Sequence, residues 1–272
     1  DDEPLLQTIE DGAAAAIERV KEAIAQPLPA NPVWKERRQL LADVSHELMT
    51  PLTAMRGYVE TLSMPELTLD TATRDRYLRI IDEETHRLER IVGDLLDLAR
   101  LEGGGTPMRH EPVPVSALFE RVHSRHEREL TARHITLVGD VGHDAETVYG
   151  DPDRLEQALQ NLAANALRHT PDGGDIVVSA DIVDERLRLR VRDSGPGIPS
   201  EHLPLIFDRF YKADAARRAM GGSGLGLSIV KAIVEQHGGS ISAHNEGGAV
   251  FEILLPRTDS AVSPEDDESD GA

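Results

Sequence analysis

Two long amphipathic stretches, joined by a short turn centred on a proline, constrain this chain more than any other feature. Leu41, Val44, Leu48, Leu52, Met55, Val59 and Leu62 recur at helical spacing between Val33 and Ser63. Between Thr71 and Glu102, Leu78, Ile81, Leu88, Ile91, Leu95 and Leu98 do the same among Arg and Glu. Each stretch predicts a helix about 45 Å long at 1.5 Å per residue, and Met64 to Asp70, with Pro65, reverses the chain between them. One such hairpin cannot cover both of its apolar stripes. Two hairpins can share a four-helix core, so the expectation is a homodimer.

Aromatic residues make up only 3% of the chain, so any core must be mainly aliphatic. The 29 basic and 49 acidic residues give a net charge of −20, which argues against binding nucleic acid or anionic lipid through bulk charge. With no cysteine, disulfides, thiolate metal sites and thiol nucleophiles are excluded. No apolar run approaches the roughly 18 residues of a membrane span, and there is no signal-peptide pattern. These features suit the cytoplasm. The chain opens at Asp1 rather than at an initiator Met and reads as a fragment, so membrane attachment would fall to a missing N-terminal segment, with the whole protein anchored in the inner membrane.

Residues 1–31 carry a short helical stretch, Leu5 to Ala25, and then Pro27, Pro29 and Pro32. They read as a linker or the end of an upstream signalling element. Residues 32–104 form the hairpin, and Gly103-Gly104-Gly105 with Pro107 marks a flexible joint. Residues 108–257 change to short strands mixed with helices. Strands are expected at Glu111–Val115, Ile135–Val141, Asp175–Val183, Leu187–Asp193, Ser240–Asn245 and Ala249–Leu255. Helices are expected at Ser116–Glu129, Pro152–His169 and Ser223–His237. The fold class is therefore a helical-hairpin dimerisation domain followed by an α+β sandwich, one mixed sheet with helices on one face. Residues 258–272 are strongly acidic and read as a solvated tail without chemistry.

In the first helix, His46 projects roughly 160° from the middle of the apolar stripe at 100° per residue, so it faces water. Glu47 follows it, and Thr50 lies one turn on toward the same side. Pro51 stands inside the helical pattern at a cost of about 3 kcal/mol, freeing the carbonyl of Glu47 and favouring a bend near His46.

Three further motifs carry the features of a nucleotide site. Asn161 and Asn165 are four apart on one helix face, and an amide oxygen is a suitable hard ligand for magnesium. Asp193-Ser-Gly195-Pro-Gly197-Ile198 places a carboxylate at a strand end, able to accept from the exocyclic amine of adenine, beside glycines that allow close approach of a flat base. Gly222-Ser-Gly224-Leu225-Gly226-Leu227 opens into a helix, whose amides and dipole suit phosphate. Ser200 to Gly222, which includes Phe207, Phe210 and Lys212, is long enough to be a lid.

Together, S-H-E-L-M-T-P-L from Ser45 and these boxes resemble the sensor histidine kinases of two-component signalling over about residues 35 to 256. Their ATP-binding domain shares its fold with gyrase and Hsp90. The resemblance implies autophosphorylation of His46 from ATP and transfer of the phosphoryl group to an aspartate of a response regulator receiver domain. Glu47 would orient or deprotonate the imidazole, and Thr50 would place water for dephosphorylating that regulator. Met49 stands where the family commonly has a basic residue. Asn165 would bind Mg2+, with Asn161 near metal and phosphates. Arg168 would lie near phosphate, His169 against the base, and Asp193, Gly195, Gly197 and Ile198 around adenine. Phe207 and Phe210 would dock the lid, Lys212 would reach phosphate, and Gly222, Gly224, Leu225, Gly226 and Leu227 would hold the phosphate chain. ATP-hydrolysing relatives place a Glu general base where this chain has Asn161, and an amide cannot take a proton from water. The rival readings are a non-catalytic scaffold or net phosphatase, and a gyrase-like ATPase.

Overall fold

The computed structural model describes residues 32–64, 67, 69–103, 107–212 and 222–257. The expected helix within residues 1–31, Pro65, Gly104 and Gly105 of the joint, and the acidic tail all lie outside the described residues. The chain forms two compact units, Asp1–Leu95 with Ala216–Ser223, and Leu96–Ala215 with Gly224–Ala272.

The first unit is built on helix α1 (Pro32–Ser63) and most of helix α2 (Thr71–Glu102). Asp70 caps α2: its carboxylate accepts from the Thr73 amide at 2.8 Å and the Thr73 hydroxyl at 3.0 Å. The Thr73 amide is the main reason the Asp70 carboxyl titrates below its usual range. Tyr58 meets Tyr77 with ring centroids 5.0 Å apart, and the Thr85 hydroxyl lies 3.3 Å from the Met55 sulfur, so the helices pack side by side. Ile91 is fully buried, but Leu41, Leu78 and Val92 are 40%, 50% and 45% exposed. A single hairpin thus leaves part of its apolar surface uncovered, as two amphipathic helices must. Among the described residues, no helix is long and apolar enough to cross a membrane.

The second unit contains a five-stranded mixed sheet in the order β2-β4-β5-β7-β6. Its strands are β2 (Thr136–Val141), β4 (Asp175–Val183), β5 (Arg186–Asp193), β6 (Ser240–Asn245) and β7 (Ala249–Pro256). Only the β2–β4 pair is parallel. β4 and β5 form the expected hairpin, with Asp184 and Glu185 both at positive φ (49° and 59°), the backbone of a two-residue turn that matches strand twist. Helices α3 (Val115–Ala132), α4 (Pro152–His169) and α5 (Gly226–Gln236) supply the buried Leu118, Leu159, Leu162, Ile229 and Ile233. The sheet answers with Ile176, Leu187, Leu189 and Phe251, giving the aliphatic core that the composition requires.

Two features depart from the expected elements. The segment expected as its first strand, β1 (Glu111–Pro114), pairs instead with β3 (Thr147–Gly150) in a separate two-stranded sheet. β3 is only four residues long, too short to show a clear alternation, and Pro112 and Pro114 keep β1 out of a central ladder. Helix α5 begins at Gly226 rather than Ser223, because Gly224 has φ +74° and cannot extend a right-handed helix.

Candidate functional site

His46 lies on α1, exposed to solvent as its helical angle requires. α1 continues through Pro51, which is itself buried. Around the missing Pro51 amide, Thr50 and Thr53 bond back to the carbonyls of His46 (3.0 Å) and Met49 (2.7 Å). Glu47 turns toward α2, where its carboxylate lies 3.9 Å from the Arg87 guanidinium, both side chains about 15% exposed (15% and 14%). Glu84 approaches the same Arg87 at 3.5 Å. The acidic neighbour of the histidine is thus part of an ion-pair group between the helices. The sequence offered no signal for this contact, which spans forty positions.

In the second unit, α4 starts at a well-made cap. Asp151 accepts from the amides of Asp153 and Arg154, and Pro152 fills the first helical position. Burial pushes the Asp151 carboxyl up, but the Arg109 amide, the Arg154 amide and the Arg109 guanidinium outweigh it and hold the carboxyl below its usual range. The buried His237 completes this corner. Its Nε2 accepts from the Asp151 amide at 3.0 Å, and its Nδ1 donates to the Ile233 carbonyl at 2.7 Å, which fixes a neutral tautomer. Burial is also the main cause that lowers its pKa.

From that cap, α4 carries Asn161 and Asn165 one turn apart, both half-buried. The Asn161 amide donates to the Gly226 carbonyl at 3.4 Å, tying α4 to the first residue of α5. Arg168 and His169 end the helix, the first exposed and the second half-buried. Asp193 is buried at the end of β5, where its Oδ1 accepts from the amides of Gly195 (2.8 Å) and Ala249 (3.2 Å). A Cβ on Gly195 would stand 2.6 Å from the His169 carbonyl oxygen, so the turn after Asp193 is pressed against the end of α4. At Gly197 (φ +76°), the chain bends so that the Ile198 amide donates to Asn245 Oδ1 at 2.8 Å while Asn245 Nδ2 donates to the Ile198 carbonyl at 2.7 Å.

Asn245 and Gly248 are the residues that sequence reasoning missed. Gly248 passes so close to Asp193 that a Cβ would overlap its carbonyl oxygen at 1.9 Å. The only trace in the sequence is the turn-like Asn245-Glu-Gly-Gly between two strands, which announces a hairpin and says nothing of a partner 47 positions away.

The described part of the lid, residues 200–212, is a succession of turns. Phe207 meets Phe251 edge-on at 6.4 Å, and the Tyr211 hydroxyl bonds His202 Nδ1 at 2.6 Å. Phe210, at φ 61°, donates its amide to the Gly224 carbonyl at 2.8 Å, and a Cβ on Gly224 would stand 2.8 Å from the Phe210 backbone. The second glycine box is therefore clasped to the lid, with Leu225 fully buried and Gly226 beside Asn161. Lys212 is half-buried at the end of the described lid, and Leu227 lies in the first turn of α5. Gly222 groups with the first unit, as do His46, Glu47 and Thr50.

A buried carboxylate held by amides, crowded glycines and a helix N-terminus tied to Asn161 are groups of the kind an adenine nucleotide requires. Comparisons with known proteins agree. Residues 36–104 match the family described as His Kinase A (phospho-acceptor) domain, and residues 150–259 match that of Histidine kinase-, DNA gyrase B-, and HSP90-like ATPase. Sensor protein SrrB of Staphylococcus aureus (strain MRSA252) is 37% identical over 224 residues, which is 81% of this chain and 38% of SrrB. The chain thus spans about two fifths of the length of the curated relatives it matches, 38%. Among solved structures, the catalytic domain of the histidine kinase ThkA is 31% identical with a TM-score of 0.50, over 56% of this chain and 97% of that one. ThkA in complex with the response regulator TrrA is 28% identical with a TM-score of 0.66, over 86% of this chain and 68% of that one. This chain belongs to the sensor histidine kinases, which join a phosphoacceptor hairpin to a gyrase- and Hsp90-like ATP-binding domain.

Proposed function

We propose that this chain is an ATP-dependent autokinase that phosphorylates His46 and passes the phosphoryl group to a response regulator. The observation that carries the reading is an exposed imidazole in a Ser-His-Glu-x-x-Thr-Pro box, in the same chain as a cleft whose would-be general base is the amide Asn161. A nucleotide held without a base for water is kept for another nucleophile.

In the reaction, an unprotonated His46 nitrogen attacks the γ-phosphorus in line. A nitrogen–phosphorus bond forms as the bond to the ADP oxygen breaks, and ADP leaves. Asp193 accepts from the adenine amine, with Gly195, Gly197 and Ile198 lining the base and His169 closing one side. Gly224 to Leu227 present the amides of the α5 N-terminus to the phosphates, while Arg168 and Lys212 add positive charge. Asn165 would hold Mg2+ through its amide oxygen, with Asn161 on the same helix face. The ion, when bound, would spread the charge on the phosphoryl oxygens. An aspartate of a receiver domain then takes the phosphoryl group from His46. The partly exposed Leu41, Leu78 and Val92 support a homodimer that closes the bundle. Thr50, exposed one turn from His46, supports a second activity, removal of phosphate from that regulator.

Incubation with γ-labelled ATP tests the reading. The chain takes up acid-labile phosphate, and His46→Ala takes up none while binding ATP as before. Label retained by the variant refutes the acceptor, the absence of any label on the parent chain favours a scaffold, and steady phosphate release favours a gyrase-like ATPase.

A further inference from the structure

One turn of α2 is ionic on the side where its neighbouring turns are apolar. Between Ile81 and the fully buried Ile91, helical spacing brings Glu84 and Arg87 to the face that meets α1. Both side chains are largely buried, as is that of Glu47, which reaches the same guanidinium from α1. Charged groups this far out of water are costly unless hydrogen bonds and opposite charge compensate, and here the hydrogen bonding is incomplete. The guanidinium stands 3.9 Å from the Glu47 carboxylate and 3.5 Å from that of Glu84, both longer than a good hydrogen bond. Arg87 Nε and Glu84 Oε2 are buried with no hydrogen-bond partner among the described residues. A pair kept for stability alone would close on one carboxylate as a fork, and an apolar side chain of similar size would serve the helix contact at least as well. One cation shared loosely between two carboxylates instead sets how firmly Glu47 is held.

We propose that Arg87 is a positioning residue for the phosphoryl acceptor: it acts through Glu47 on His46, and Glu84 moderates its hold by competing for the same guanidinium. The proposal rests on the reading of His46 as the nucleophile and of Glu47 as the group that serves its ring. The His46 ring faces water, so its orientation depends on the side chains beside it. A carboxylate orients an imidazole or takes its proton only while it stays within reach. The pull of Arg87 limits where the Glu47 carboxylate can stand, in the turn that carries His46, whereas a glutamate without that pull ranges more widely through water. Glu84, one turn before Arg87 on the same helix, draws the guanidinium the other way. Loss of Arg87 therefore loosens Glu47, and loss of Glu84 tightens it. The two substitutions act in opposite directions on one reaction, which no shared role in helix packing explains.

Rates of His46 labelling from γ-labelled ATP, measured on the full chain, test this. Arg87→Gln lowers the limiting rate about tenfold with KM for ATP unchanged, and Arg87→Lys, which restores the charge without the fork, recovers it to within about threefold. Glu84→Gln does not slow the reaction. In the Glu47→Gln background, itself slowed, Arg87→Gln costs nothing further, because the group it acts through is gone. A loss of the same size in both backgrounds marks a purely structural Arg87 and overturns the proposal, as does a Glu84→Gln variant slowed about tenfold. Should Arg87→Gln fail to fold, Arg87→Met, apolar like its neighbours on this face, takes its place in the cycle on the same terms. A slowed Glu47→Gln beside a parental Arg87→Gln overturns the proposal alone. Label retained by His46→Ala, or a parental rate in Glu47→Gln, overturns the underlying reading and the proposal with it.

Discussion

The helical hairpin and the nucleotide cleft are held together in different ways. Around His46, the side-chain bonds to the backbone are local: Ser45 to Leu41, Thr50 to His46, Thr53 to Met49 and Thr61 to Gly57, each four residues apart. Around Asp193, they join residues 47 (Asn245 to Ile198), 56 (Ala249 to Asp193) and 86 (Asp151 to His237) positions apart. The glycines differ in the same sense. Gly57 and Gly93 of the hairpin have nothing within 4 Å of a built Cβ, whereas Gly195, Gly224 and Gly248 would each meet backbone below 3 Å. The acceptor proposed at His46 would need exposure and a straightforward local scaffold. A base-binding site as proposed around Asp193 would need several distant segments placed closely, and the crowded glycines there leave little room for change.

The comparison breaks most sharply at Gly195. Gly195→Ala puts a methyl group against the His169 carbonyl and the Asp193 carboxylate, at 2.6 and 2.8 Å, and neither can withdraw without moving the cleft. ATP affinity should fall at least about 100-fold, close to 3 kcal/mol, with the far-ultraviolet dichroism of the hairpin unchanged. Calorimetric titration with nucleotide checks this, and affinity within threefold of the parent shows that the turn is looser than the geometry states.

His237 tests the long-range corner that starts α4. His237→Ala leaves the Asp151 amide without its acceptor and opens a hole beside Gly150, a loss of about 2 to 3 kcal/mol in unfolding free energy of the second unit. The same contact gives a pH dependence. The folded state holds His237 neutral, with its pKa below the ordinary 6.5, so the unfolded chain binds the proton first. This contribution is complete above about pH 6.5 and is lost as pH falls through the depressed folded value. Urea melts between pH 8 and 5 should show a fall in stability that the variant lacks.

A smaller effect is expected at Asn245, which holds Ile198 by both its amide and its carbonyl. Asn245→Ala releases the bend at Gly197 without adding bulk, so nucleotide affinity should drop about tenfold, near 1.4 kcal/mol. Unchanged affinity would mean that the glycine turn holds its shape unaided.

The same division decides what the sequence could disclose. The two long helices, α4 from Pro152 to His169, and β4 and β6 were legible to the residue or nearly so, because their signals are periodic and local. The exposure of His46 followed from one angle. β3 was not legible, since four residues of Thr-Val-Tyr-Gly carry no period, and without it the separate pairing of β1 could not be seen. Asn245 looked like any turn asparagine. Glu47 could be placed next to a histidine but not next to Arg87, because that contact depends on how two helices are phased against each other. Motif chemistry singled out the residues proposed for the site, while the long-range bonds around Asp193 and Ile198 were hidden by their sequence separation.

The smallest effect lies at the tolerant pole. Gly57 sits in the middle of α1 with open space where a side chain would stand, so its flexibility costs the helix about 0.5 to 1 kcal/mol relative to alanine. Gly57→Ala should raise the melting temperature of the hairpin by a few degrees, with ATP affinity and the rate of His46 labelling within twofold of the parent. A fall in melting temperature that grows as the protein is diluted would instead show that a second copy packs closely against this face. In that case the glycine would be needed for helix contact in the dimer, and the hairpin would share the intolerance of the cleft wherever its surface is covered by a partner.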